Sequence, residues 1–402
     1  MTDDLIGLVL TGGGARGAYQ AGALLAIAEI TGARRLPFRA LAGSSAGSIN
    51  VAYLASRALD FGGATRALGD LWCTLRPKDV FRTDTLTLVK TATGWGADLG
   101  LGGWIGAGRG KALLDTAPLR ELVTRSLDIP AMHAHIERGH VHGLSMAATN
   151  YQSGLGVSFF EGAAATLPWS RVTRIGVRAR LGVEHVMASA AIPAFFPAVC
   201  IDGEWYADGS IRLGTPLSPA IRMGARRILA IAVRHVRPGA AAPAPTLTVP
   251  PPYPTAADTA GVVLDALFLD ALEADVERTT RINHTLSLLA PEILAQQKTP
   301  LVPVSVLVLR PSIDPASLVP AALAHFPAAV RHLFRGLGAS DTAGWDLLSY
   351  LAFEGVFTTR LMEVGYEDTL ARADDIRAFL GGGWPGVSFG VSPSLLEQGA
   401  VR

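Results

Sequence analysis

Cysteine is almost missing. Cys73 and Cys200 are the only two in 402 residues, which excludes a disulfide framework, and their apolar surroundings predict buried free thiols. Net charge is nearly absent too, with 35 Lys and Arg against 34 Asp and Glu, a balance of +1. So neutral a chain has no bulk electrostatic basis for binding nucleic acid. No stretch reaches the roughly 18 apolar residues in a row of a membrane-crossing helix, although 49% of the residues are hydrophobic. The opening Met1-Thr2-Asp3-Asp4 is acidic where a secretory leader is basic, and the apolar run behind it is soon cut by glycines. The expectation is a cytoplasmic α/β protein, long enough to bury a full core.

Glycine is abundant, at 44 residues, and two of its clusters carry chemistry. Gly43-Ser44-Ser45-Ala46-Gly47 is a G-x-S-x-G pentapeptide between a strand-like run, Phe38 to Ala42, and a helix-like run, Ser48 to Ala58. That is the setting of a nucleophile elbow, whose tight turn needs small flanks such as Gly43 and Gly47 and lifts the central serine, Ser45, off a strand end. Ser44 and Ser48 read as backbone-bonded or capping. Upstream, Gly12-Gly13-Gly14-Ala15-Arg16-Gly17 separates the apolar run Leu5 to Leu10 from helical spacing over Ala18 to Ile30. Unencumbered amides at a helix N-terminus make an anion site. Gly12, Gly14 and Gly17 also fit G-x-G-x-x-G, so a nucleotide-binding module is a rival. That rival wants an acid about 20 residues on, at the end of the second strand. Here the strand ends in Leu41-Ala42 and runs straight into the serine turn. No Lys-Ser/Thr follows the glycines, which excludes a phosphate P-loop. A developing oxyanion is the better guest.

A third block lies far downstream, where Ala188-Ser189-Ala190-Ala191-Ile192-Pro193-Ala194-Phe195-Phe196-Pro197 precedes Ala207-Asp208-Gly209-Ser210. Taken in order, G-G-G-x-R-G, G-x-S-x-G, A-S-x-A-x-P-x-x-F-x-P and D-G resemble the patatin-like phospholipase family. Tyr350-Leu351-Ala352-Phe353-Glu354 and Gly365-Tyr366-Glu367-Asp368 resemble its closing helices more weakly. Ser210 departs from the Gly or Ala usual after Asp-Gly, but is small enough to keep the turn. The resemblance implies a three-layer α/β fold and a Ser–Asp dyad in which Ser45 is the nucleophile and Asp208 the base. It also implies an oxyanion hole at Gly13 and Gly14, aided by Arg16, and neither metal nor cofactor. The implied reaction cleaves fatty acyl esters of phospholipids or related lipids, by a cytoplasmic protein peripheral to the membrane. Burial of Asp208 is expected to raise its basicity.

Strand-like runs recur at Leu5–Leu10, Phe38–Ala42, Gly143–Thr149, Gly156–Phe160, Arg227–Val233 and Val304–Leu309, with helical patterns between several of them. That alternation predicts a mostly parallel sheet covered on both faces. The catalytic core is expected over 5–220, and 221–402 as its continuation, with a Pro-rich connector at 237–254 and helix over 257–289. The Gly-rich segment 93–110, carrying Trp95, Leu99, Leu101, Trp104 and Ile105, is the expected lipid-docking loop. His133, His135, His140 and His142 cluster, yet no acid or cysteine completes a known metal spacing. His235, His284, His325 and His332 follow Asp208, which keeps open a Ser-His-Asp esterase acting on smaller soluble esters. A lipid-binding module without catalysis is the non-enzymatic alternative.

Overall fold

The computed structural model describes residues 5–84, 112–236, 253–268, 270–295, 301–336, 338, 344–383 and 387–388. Segment 93–110 and most of the Pro-rich connector lie outside the described residues. Strands β1 (Ile6–Leu10), β2 (Ala40–Ser44), β3 (Gly143–Asn150), β4 (Gly156–Gly162), β5 (Trp169–Arg171), β6 (Arg174–Arg178), β7 (Val199–Ile201), β8 (Glu204–Asp208), β9 (Arg227–Ile231), β10 (Ser305–Leu309) and β11 (Val387–Ser388) form one sheet. Its order is β11-β10-β9-β1-β2-β3-β4-β6-β5, with the β7–β8 hairpin attached to β3. From β11 to β3 every pairing is parallel. Sequence after residue 220 therefore extends the sheet beyond β1 through β9, β10 and β11.

Strand alternation sorts side chains onto two faces. Leu8 and Leu10 of β1, Leu229 and Ile231 of β9 and Leu307 and Leu309 of β10 enter one core. Val9, Ile228, Ala230, Val306 and Val308 enter the other. Helices α1 (Ala18–Thr31), α2 (Ala46–Ala55) and α3 (Phe61–Thr74), with helix Gly355–Leu370, cover the first face. Helices Ser218–Arg222 and Asp270–Ser287 cover the second through Ala220, Leu272 and Val276. Burial on both sides explains why these strands are continuous apolar runs. α1 crosses helix Gly355–Leu370 at glycines, because a Cβ on Gly22 would collide with the Met362 carbonyl and one on Gly365 with that of Tyr19.

The active-site end of the sheet is set by a junction on β3. Ser44, the last residue of β2, pairs with Ala147. The next β3 residue, Ala148, pairs with Asp208 of β8, which runs antiparallel. β8 thus takes the place that β2 vacates, and the two strands meet head to head. Gly209 lets the chain turn away there, since any Cβ would strike the Ala147 backbone.

The expectation for the cysteines needs correction. Cys73 is half-buried and Cys200 exposed; Cys200 is the outward residue of the short strand β7, whose neighbours point inward. The segment 257–289, read as one long helix or two, is helical as expected, over Ala256–Phe268 and Asp270–Ser287, with residue 269 outside the described residues. His133 and His135 sit on helix Ile129–Glu137. His133 Nδ1 bonds Glu161 at 2.8 Å and His135 contacts His140 at 3.1 Å. Among the described residues no group of three or more His, Cys, Asp or Glu is placed to hold a metal, and no helix is long and apolar enough to cross a membrane.

Candidate active site

Ser45 connects β2 to α2 with φ 51° and ψ −128°, a backbone region that costs a non-glycine residue about 1–3 kcal/mol. The surroundings hold it there. The Ser45 N–H donates to Ser189 Oγ at 3.1 Å, and Ser189 Oγ lies 2.7 Å from Ser48 Oγ. Gly43, next to last in β2, lies against the Gly47 backbone, and Gly47, second in α2, lies against the Leu10 backbone. Ser44 is a strand residue; Ser48 bonds through its hydroxyl to Ser189 as well as through its N–H to the Ser45 carbonyl, at 2.9 Å.

Asp208 is fully buried. Its Oδ1 accepts the Ser210 N–H at 2.9 Å, whereas Oδ2 has no partner within hydrogen-bond range. The Ser45 hydroxyl is close enough to favour the ionised carboxylate without closing a bond of ordinary length. Resting sites often show such slack, and it tightens when substrate binds. Burial pushes the Asp208 carboxyl up to about 7, against the pull of Ser45 and of the Ser210 hydroxyl and N–H. Desolvation dominates because no cation stands close enough to offset it. The N–H would be there with Gly or Ala as well, so what Ser210 adds by departing from the family pattern is the smaller pull of its hydroxyl.

The glycine turn lies on the other side of Ser45. Gly14, at φ 54°, opens a short 3-10 turn, Gly14–Gly17, that leads into α1. Among the described residues, the N–H groups of Gly13 and Gly14 donate to no backbone carbonyl, which leaves them available to an anion. Gly12 leads into this turn, and Gly17 packs with its Cα beside Ala46 and Trp72. Arg16 does not join the two amides. Its own N–H bonds the Gly13 carbonyl at 3.1 Å, and its buried guanidinium points to the C-terminal half of the chain. There Nε donates to Ser349 Oγ at 2.8 Å, Asp265 and Asp346 lie at 3.4 and 3.6 Å, and the Tyr350 ring stacks 4.1 Å below. A buried guanidinium needs carboxylate partners, and Asp265 and Asp346 supply them. Arg16 therefore clamps the turn to helices Ala256–Phe268 and Trp345–Leu351 instead of facing Ser45.

A buried polar chain fixes the turn against the elbow. The Trp72 indole donates to Asn50 Oδ1 at 2.9 Å, Asn50 donates to Gln20 Oε1 at 2.9 Å, and Gln20 donates to the Thr11 carbonyl at 2.8 Å. The sequence reading held Ser189 only as part of its block and missed its bond to Ser45, and it missed this chain altogether. The one signal available was polar residues on otherwise apolar helices. Gly14, Ser45, Ile49, Trp72, Ile192 and Phe353 are among the residues lining an apolar cleft. His235 bonds the Pro311 carbonyl at 3.0 Å, and His284, His325 and His332 are exposed. No histidine acts on the Asp208 carboxyl.

A three-layer α/β sheet with a serine elbow, a glycine turn and a buried Asp-Gly defines the class of protein. The family model of the patatin-like phospholipases matches residues 8–221, more than half of the chain. The chain belongs to the patatin-like phospholipase family, and membership implies a lipid acyl hydrolase. It is similar to VipD from Legionella pneumophila, with 12% identity, a TM-score of 0.35 and coverage of 92% of this chain and 67% of that one. It is also similar to human GIVD cytosolic phospholipase A2 in complex with methyl gamma-linolenyl fluorophosphonate, with 14% identity, a TM-score of 0.40 and coverage of 94% and 59%. The chain thus spans 59–67% of the length of these two structures. No curated protein matches it.

Proposed function

We propose that the protein hydrolyses fatty acyl esters of phospholipids or related lipids through an acyl-serine intermediate formed by a Ser45–Asp208 dyad. The observation that carries this reading is the head-to-head junction of β2 and β8 on β3, which sets a strained serine beside a buried, half-satisfied carboxylate. Asp208 takes the Ser45 proton as Oγ attacks the ester carbonyl. The carbonyl oxygen gains charge and is met by the Gly13 and Gly14 N–H groups. Collapse breaks the ester bond, and the leaving alkoxide takes the proton held by Asp208. Water, deprotonated by the same carboxylate, then attacks the acyl-serine and releases the fatty acid. The apolar cleft beside Ser45 supplies a place for the acyl chain, and a base titrating near 7 suits work at neutral pH. A lipid surface is the partner this reading assigns.

A fluorophosphonate probe tests it. The wild type is expected to label once per chain, at Ser45, and Ser45→Ala not at all. Labelling that survives in Ser45→Ala, or a wild type that resists the probe, would sink the proposal.

The pH profile follows from the sign of the Asp208 shift. The base must be ionised, so kcat/KM on a soluble ester is expected to rise with pH through about 7 and then level off. A profile already flat from pH 5 upward would place the base elsewhere. The profile does not separate a dyad from a triad, because burial has moved the carboxyl into the range of an ordinary histidine, about 6.5.

A further inference from the structure

At the active-site end of the sheet, beyond β3, Arg171, Arg174 and Arg212 gather, and Arg222 and Arg278 approach them from the helices on the second face, with almost no acid among them. Gly156 at the start of β4 sits opposite Thr149 of β3 and, on its other side, opposite Arg174 of β6. Arg174 in turn faces Arg171 of β5. A Cβ on Gly156 would lie 3.1 Å from the Arg212 Cβ, so Arg212 joins the group. Asp275 ties the second layer to it, accepting the Leu217 N–H at 3.0 Å and standing 3.6 Å from Arg278. Burial lowers the pKa of Arg174 and of Arg222; Arg278, Arg171 and Arg222 depress Arg174 further, Arg171 depresses Arg222, and only Asp275 opposes them. Arg171, Arg212, Arg222 and Arg278 are exposed. Val172, at the tip of the β5–β6 hairpin, is 96% exposed.

Folding gains nothing from this arrangement, because like charges directly opposite on paired strands destabilise a sheet. Nor does it reflect bulk charge, since the whole chain carries only +1. Its position is the informative part. β6 lies three strands from β2, roughly 14 Å at ordinary strand spacing. Thr149, Gly156 and Arg174 stand about 7 Å beyond the end of β2 along the strand direction. A flat anionic surface resting on the arginines would therefore also lie over the end of the sheet that carries Ser45. A bilayer also accommodates an exposed apolar tip such as Val172, which a soluble anion does not.

We propose that Arg171, Arg174, Arg212, Arg222 and Arg278, with Val172 at the tip, form a docking surface for a bilayer rich in anionic phospholipid headgroups. This rests on the reading of the protein as a lipid acyl hydrolase and names the surface from which it draws substrate. Each arginine contributes through the surface potential, so the attraction falls as salt screens it.

The test is co-sedimentation with vesicles of phosphatidylcholine alone or mixed with phosphatidylglycerol, using Ser45→Ala so that no lipid is consumed. Binding is expected only to the mixed vesicles and to fall with added NaCl. Adding Arg171→Gln, Arg212→Gln and Arg222→Gln is expected to weaken it on the order of 10²-fold. The same triple substitution in the active enzyme should leave hydrolysis of a short soluble ester unchanged. Equal binding before and after the triple substitution, or no preference for anionic lipid, overturns the proposal. Tight binding to single-stranded DNA without vesicle binding overturns it too, and assigns the patch to another partner. Should the hydrolase reading itself fail, the wild type would not cleave the soluble ester, a result separate from vesicle binding.

Discussion

Asp208→Asn is expected to lower kcat on a soluble ester by on the order of 10³-fold or more, and at the same time to raise the Tm. The first effect follows from the role proposed for Oδ2, since an amide cannot take the Ser45 proton. The second follows from linkage. The folded carboxyl titrates near 7, far above its ordinary 3.8. Between those values the folded chain keeps a proton that the unfolded chain has lost, so stability declines as pH rises through the window and is lowest above it. Holding the ionised carboxylate in this site costs on the order of 4 kcal/mol. Asn removes that cost, so the Tm gain should be greatest above pH 7 and vanish near pH 4. His235→Ala, His284→Ala, His325→Ala and His332→Ala are expected to leave kcat near that of the wild type. One folded histidine variant as inactive as Asp208→Asn would replace the dyad with a triad.

Much of the fold was legible because both faces of the sheet are covered. The runs Leu5–Leu10, Gly143–Thr149, Gly156–Phe160 and Val304–Leu309 fall within one or two residues of β1, β3, β4 and β10. The elements that went unread are three- to five-residue strands with an exposed side, β5 to β8, whose patterns are too short for a period to show. At the candidate site, the motifs named Ser45, Asp208 and the two glycines, and the chain brings these groups together. How they meet could not be read, because it depends on the β3 register, where Ser44 and Asp208 occupy successive places. The direction of Arg16 was hidden for a related reason. Its partners lie 249 to 334 positions away, outside the residues that the family model matches. The C-terminal helices are thus part of what shapes the glycine turn, although the weak resemblance over Tyr350–Glu354 says nothing of Arg16.

That dependence decides how the oxyanion turn should be tested. A side chain at Gly14 faces two objections. Its φ of 54° is disfavoured for most residues, and its Cβ would collide with the Tyr350 carbonyl of helix Trp345–Leu351. Since the obstacle is backbone, Gly14→Ala is expected to lower stability by about 1–3 kcal/mol as well as to displace the Gly13 and Gly14 amides. Loss of activity alone would then prove little. Gly22→Ala supplies the control, because its Cβ strikes the Met362 carbonyl where α1 crosses helix Gly355–Leu370, in the core and away from the turn. Both variants are expected to melt earlier than the wild type. Assayed well below their Tm, they should part company. Gly22→Ala should keep its kcat, whereas Gly14→Ala should lose on the order of 10²–10³-fold, the worth of one pre-aimed donor. KM should change little in either, because the amides act on charge that exists only in the transition state. If the two variants lost kcat in proportion to stability alone, the glycine turn would be a packing device and the oxyanion would have to be met elsewhere.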